Sequence, residues 1–180
     1  MNLAERFAAA CTEPSDIRLQ VPRLARIVRE RNAQHVVELG TRGGVSTVAF
    51  LWGLSHTGGA LTSCDLDERP DLGGDMPRWA FIRGNDLSLD VLNRMAPADV
   101  VFIDTSHLYH QTLEELAAYR KVLRPGGIFL LHDTELPHPA GEDDCIAFPV
   151  RKAIERYCAE EKLEWCNWSG SHGLGMIEVP

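Results

Sequence analysis

The chain has 180 residues, 44% of them apolar, and a formal charge of −8. That is enough for one domain over 1–180 with a core of its own, and the acidic balance disfavours nucleic acid as a partner, because phosphates need clustered Lys and Arg. No run spans a bilayer, the N-terminal apolar stretch is interrupted by charge, and Cys11, Cys64, Cys145, Cys158 and Cys166 show no zinc or disulfide spacing, so a cytoplasmic protein without membrane partners is expected. Leu3, Phe7, Ala10 and Cys11 share one helical face, and after Thr12-Glu13-Pro14-Ser15 a second helix starts near Pro22 with Leu24, Ala25 and Val28 aligned. This preface over 1–34 leads into a core over 35–180. There the pattern predicts strand 36–40, helix 44–55, strands 60–65 and 79–83, a short helix 88–95, strand 98–103, helix 109–122 and strand 127–132. Such alternation implies an α/β fold with a parallel, doubly wound sheet.

Two prolines and paired glycines between Glu68 and Pro77 remove the usual crossover helix or reduce it to a turn. An acidic loop from Pro137 to Asp144, suited to solvent or to folding over a site, precedes a last helix marked by Val150, Ala153, Ile154, Tyr157 and Cys158. Strands near 163–167 and 173–179, joined by Trp168-Ser-Gly-Ser-His172, predict a hairpin that adds an antiparallel edge.

The segment His35 to Phe50 is the most informative: a buried strand, a turn carrying Gly40, Gly43 and Gly44, then a helix start whose free N–H groups face the gap. Ligands of open α/β sheets bind outside the carboxyl ends of the strands. Every strand end here carries an acid: Glu38 before the turn, Asp65 and Asp67, Asn85-Asp86, Asp104 with His107 three residues on, and His132-Asp133. Asp65 lies 25 positions beyond Gly40 (65 − 40), near the spacing of roughly 20 at which a carboxylate meets a ribose diol. That suits a nicotinamide dinucleotide or S-adenosylmethionine. Arg42 occupies the middle-glycine position that a pyrophosphate turn needs, and Glu38 suits the ammonium of a methionine end.

The segments Glu38-Leu-Gly-Thr-Arg-Gly-Gly-Val-Ser-Thr47, Phe102-Ile-Asp-Thr-Ser-His-Leu-Tyr109, Leu123-Arg-Pro-Gly-Gly-Ile-Phe-Leu-Leu-His-Asp133 and Gly173-Leu-Gly-Met-Ile177 resemble class I S-adenosylmethionine-dependent methyltransferases. More narrowly, they are similar to a bacterial small-molecule O-methyltransferase group that includes macrolide-sugar methyltransferases and cephalosporin-hydroxylase-like proteins. The resemblance implies a Rossmann-like fold with helices on both faces and a small-molecule hydroxyl as acceptor. It implies that Gly40, Thr41, Gly43 and Ser46 surround the methionine moiety, that Asp65 binds the ribose, and that Glu38, Arg42 and Leu66 belong to the same cofactor site. Asn85 or Asp86 would face adenine, and Asp104 would lie beneath the sulfonium. In metal-dependent members, acids after the fourth and fifth strands hold magnesium, which places Asp104 and Asp133 as ligands with His132 where an acid often stands. Imidazole suits manganese, iron or zinc better, so a different divalent metal, a His132 that points elsewhere and no metal at all stay open. Without metal, His107 or Asp104 serves as general base; a capping or solvent-facing His107 is the alternative. Related enzymes often pair, which makes a homodimer through the N-terminal helices an expectation by analogy. A nucleic-acid or protein methyltransferase, a non-catalytic adenosine-cofactor module and a nicotinamide oxidoreductase are the rival functions.

Overall fold

A computed structural model describes residues 1–73, 76–137 and 146–180. Most of the acidic loop Pro137–Asp144, together with Cys145, lies outside the described residues. Asn2 caps α1 (Leu3–Thr12) by accepting from the Glu5 amide while Glu5 reaches back, a reciprocal capping box. A 3-10 turn over Arg18–Gln20, absent from the sequence expectation, leads into α2 (Val21–Glu30), whose Pro22 sits in the first turn. There follow β1 (His35–Leu39), α3 (Val45–Ser55), β2 (Ala60–Asp65), β3 (Trp79–Arg83), α4 (Leu89–Leu92) and β4 (Ala98–Ile103). The chain then forms α5 (Tyr109–Tyr119), β5 (Leu123–His132), α6 (Pro149–Glu161), β6 (Trp165–Trp168) and β7 (Leu174–Glu178).

Seven strands form one sheet in the order β3-β2-β1-β4-β5-β7-β6. The first five are parallel, whereas β7 runs antiparallel between β5 and β6. Strand periodicity explains the two-sided core. Val36, Val100, Phe102, Ile128 and Leu130 face the layer of α1–α3, while Val37, Leu39, Val101, Ile103, Phe129 and Leu131 face α5 and α6. Apolar residues therefore run continuously along the central strands, as burial on both faces requires.

No helix occurs among the described residues between β2 and β3; instead Pro70 and Leu72 of that connection pack beside Gly44. The boundary differences have local causes. β1 stops at Leu39 because Gly40 turns to φ +83°. β5 starts at Leu123 rather than 127 because Arg124-Pro-Gly-Gly127 is taken up in a register shift opposite β4, pinned by Arg124 on Asp99 at 2.7 Å. β1 and β4 are neighbours while their following helices lie on opposite faces, and the switch between them opens a cleft at the strands' carboxyl ends.

Candidate active site

Gly40 is fixed by sterics on two counts. It holds positive φ, and a Cβ there would lie 1.9 Å from the carbonyl oxygen of Asp104, so the ends of β1 and β4 close up only around glycine. Gly44, at φ +81°, caps α3. Under this turn Glu38 is fully buried. Its carboxylate accepts from Ser46 Oγ at 2.6 Å, from Thr47 Oγ1 at 2.9 Å and from Ser63 Oγ. Burial pushes Glu38 up to about 7 despite those donors. It supports the turn through Ser46, which does line the cleft, instead of presenting a free carboxylate to a ligand.

Asp65, at the end of β2, ties the turn from the other side. Its Oδ2 accepts from Thr41 N at 2.7 Å, Thr41 Oγ1 at 3.0 Å and Arg42 N at 3.1 Å. Burial opposes its charge, but the amide donors outweigh that and hold it below the usual carboxylate range. Asp65 also lines a cavity of about 330 Å³ together with Leu66, Asp86, Asp104 and Gln111. Leu66 is an exposed apolar side chain on that wall. Of the two residues expected after β3, the structure brings Asp86 to the cavity and leaves Asn85 exposed, its Oδ1 accepting from Leu87 N at 2.9 Å. Sequence reasoning missed Glu115 on α5, which is buried behind Asp86 and accepts from Thr105 Oγ1 at 2.6 Å and Gln111 Nε2 at 2.8 Å. Burial and the adjoining Asp86 push Glu115 up to about 8, and burial raises Asp86 as well.

A second cavity of about 110 Å³ lies on the far side of the turn, walled by Ser15, Asp16, Thr41, Gly43, Ser46 and Val45. Gly40, Arg42 and Asp104 border both cavities. Asp16 and Ser15 carry no chemical motif, and their place here follows from a loop 26 residues upstream of Arg42 folding back onto the turn.

Asp104 and Asp133 form the acidic centre. His107 Nε2 lies 2.8 Å from Asp133 Oδ2 and 3.2 Å from Asp104 Oδ1. His132 Nδ1 is 3.3 Å from each carboxylate, while its Nε2 is 2.8 Å from the Ser171 carbonyl. His172, from the β6–β7 loop, adds Nδ1 at 3.0 Å from Asp133 Oδ1; only its placement on the predicted hairpin connection hinted at this. Burial alone would lower both imidazoles, but the two carboxylates outweigh it and raise His107 to about 9 and His132 to about 10. Asp133 is correspondingly held well below the carboxylate range by its histidine neighbours, against burial. Asp104, His107 and Asp133 each offer a ligand atom within 4.8 Å of the others. His132 stands behind this set, against the loop carbonyl. His107, Asp133, His172 and Arg42 all hold positive φ although none is glycine.

Residues 37–134, from the first strand to just past the fifth, match the family described as a methyltransferase domain. The chain belongs to that family. This methyltransferase chain is 27% identical over 154 residues, spanning 78% of itself and 67% of the relative, to a provisionally named O-methyltransferase of Mycobacterium avium (strain 104). Its fold is that of an O-methyltransferase from Bacillus cereus solved in complex with SAH, at a TM-score of 0.72 and 22% identity over 99% of this chain and 89% of that one. It is also similar to the MycE methyltransferase of the mycinamycin biosynthetic pathway, solved with Mg, SAH and mycinamycin VI, at a TM-score of 0.70 and 17% identity, covering 99% of this chain and 55% of that one. The sheet order and the antiparallel β7 are thus those of the Rossmann-like methyltransferase fold. No helix among the described residues is long and apolar enough to cross a membrane.

Proposed function

We propose that the chain transfers a methyl group from S-adenosylmethionine to a hydroxyl of a small molecule. The observation that carries this is the pair of cavities meeting at Gly40, Arg42 and Asp104. The larger offers an adenosine wall in Asp65, Leu66 and Asp86 and the smaller a polar end, so a ligand laid across both puts its sulfonium beside Asp104. The names of the Mycobacterium and Bacillus relatives support oxygen as the acceptor atom. We take residues 1–180 as one catalytic domain, since Leu3, Phe7, Leu24 and Val28 pack into the same core as the sheet.

Transfer is an in-line displacement: the acceptor oxygen bonds to the methyl carbon as the carbon–sulfur bond breaks, and the hydroxyl proton must leave. Alignment alone contributes on the order of 7 kcal/mol in favourable cases. Asp104 faces the sulfonium, and in the absence of a bound metal His107, whose Nε2 is 3.2 Å from Asp104, takes the proton. With His107 raised to about 9, its neutral form grows with pH, and the rate is expected to climb toward that value. Two carboxylates and an imidazole fit a divalent cation that accepts nitrogen, such as manganese, iron or zinc, better than magnesium. Such an ion supplies a lowered hydroxyl pKa and a template for approach. Titration calorimetry should show Mn²⁺ binding that Asp133→Asn removes, in competition with protons on the same donors.

The deciding assay supplies isotope-labelled S-adenosylmethionine with sugar and phenolic acceptors, RNA and protein. Label on a small-molecule hydroxyl is the expected result. Label confined to RNA or protein, or binding of NAD in place of S-adenosylhomocysteine, overturns the proposal.

A further inference from the structure

We infer that Glu115 is a positioning residue for the larger cavity: one of its oxygens shares a proton with Asp86 and the other holds the Thr105 hydroxyl. The cavity wall and the segment carrying Asp104 and His107 are thereby set together. What fills the cavity rests on the proposed cofactor; the shared proton does not. Glu115 is fully buried on α5, and Asp86, after β3, is buried beside it. Glu115 Oε1 accepts from Thr105 Oγ1 at 2.6 Å and from Gln111 Nε2 at 2.8 Å, and Thr105, Gln111 and Asp86 all line the cavity. Glu115 Oε2 and Asp86 Oδ2 are both buried without a hydrogen-bond partner among the described residues. Two ionised carboxylates offer only acceptors, so neither oxygen can satisfy the other, whereas one proton between them satisfies both. One helical turn on from Glu115, Tyr119 Oη donates to the Asp86 carbonyl at 2.9 Å. The same face of α5 thus meets both the backbone and the side chain of Asp86.

The surroundings favour the proton. Asp65 and Cys64 of β2 face Asp86, Tyr119 faces both carboxyls, and Arg94 acts on Cys64. Burial and the charge on Asp86 together oppose ionisation of Glu115 and raise it to about 8. Below that value the pair carries one proton and one charge. Above it the two carboxylates repel, and the wall loses its arrangement.

The test titrates 5′-methylthioadenosine, which stays uncharged through neutral and alkaline pH, into the wild-type chain and Glu115→Gln. Wild-type affinity should fall roughly tenfold from pH 7 to pH 9 as the one-proton form is depleted. Glutamine keeps an acceptor for Thr105 and gives Asp86 a donor that cannot be titrated away, so Glu115→Gln should match the wild type at pH 7 and hold that affinity at pH 9. The histidines of the acidic centre titrate in both chains and drop out of the comparison. Parallel pH profiles, or a Glu115→Gln chain already weakened at pH 7, overturn the assignment. Infrared difference spectra without ligand should show, at pH 7, a protonated-carboxyl band in the wild type that Glu115→Gln lacks; the absence of that difference overturns the shared proton. Failure of both chains to bind methylthioadenosine overturns the cofactor proposal and the positioning role with it, while the infrared band decides the proton independently.

Discussion

Gly40 and Gly43 stand three residues apart in one turn but answer to different constraints. The position a Cβ would take at Gly40 is occupied by the Asp104 carbonyl, whereas nothing lies within 4 Å of one at Gly43. Gly40→Ala is expected to cost roughly 2–4 kcal/mol in urea unfolding, and Gly43→Ala to stay within about 0.5 kcal/mol of wild type. Equal costs would refute the steric account. The histidines give a second prediction, for the chelator-treated chain. His107 and His132 are raised in the folded state, to about 9 and about 10. Their pairing with Asp104 and Asp133 therefore stabilises fully below the ordinary histidine pKa near 6.5 and is lost as pH rises through those raised values. Urea midpoints should fall between pH 7 and pH 10, and the fall should shrink in His107→Asn; a fall of the same size in that variant would exclude His107 as its source.

At the level of elements, the β6–β7 hairpin is held to the site by Glu135. Its carboxylate accepts from Ser169 Oγ at 2.7 Å, Asn167 Nδ2 at 2.9 Å and Gly170 N at 3.2 Å, with Arg151 alongside. Glu135→Ala should destabilise the chain by about 1–2 kcal/mol. Hydrogen exchange should then quicken in the loop 169–173 and the start of β7 before it quickens in β1; uniform quickening would assign Glu135 no special role there. The strands were legible because Val36-Val37, Val100-Val101 and Ile128–Leu131 are apolar runs too short for helices. The hairpin was legible from Trp168 to His172, though not that β7 would sit inside β6. The start of β5 was not, since Arg124-Pro-Gly-Gly127 has the composition of a turn and is held in pairing by a tertiary contact to Asp99. Site legibility divides along the same line. Gly40, Asp65, Asp104 and Asp133 sit at strand ends, where topology alone brings them together. Asp16, Glu115 and His172 arrive through long-range packing, and Glu38 is drawn inward by Ser46, Thr47 and Ser63, whose hydroxyls carry no such message in sequence.

For the whole molecule, the cleft lies between layers that α1–α3 and α5–α6 bury separately, so a ligand spanning it is linked to global stability. S-adenosylhomocysteine at 100 times its Kd should add about 2.7 kcal/mol and raise Tm by roughly 5–10 °C, while NAD at the same concentration should not. A shift with NAD alone would count against the proposed cofactor. The backbone of this cleft carries a further implication. Arg42, His107, Asp133 and His172 are all left-handed, a conformation that disfavours a side chain by roughly 1 kcal/mol each. Glycine at Arg42, whose side chain makes only an exposed ion pair, would relax the chain while deleting a side chain that borders both cavities. Selection for heat tolerance alone would accordingly drift toward a sturdier, inert protein, and heat-hardened descendants of this sequence should be screened for turnover at every round.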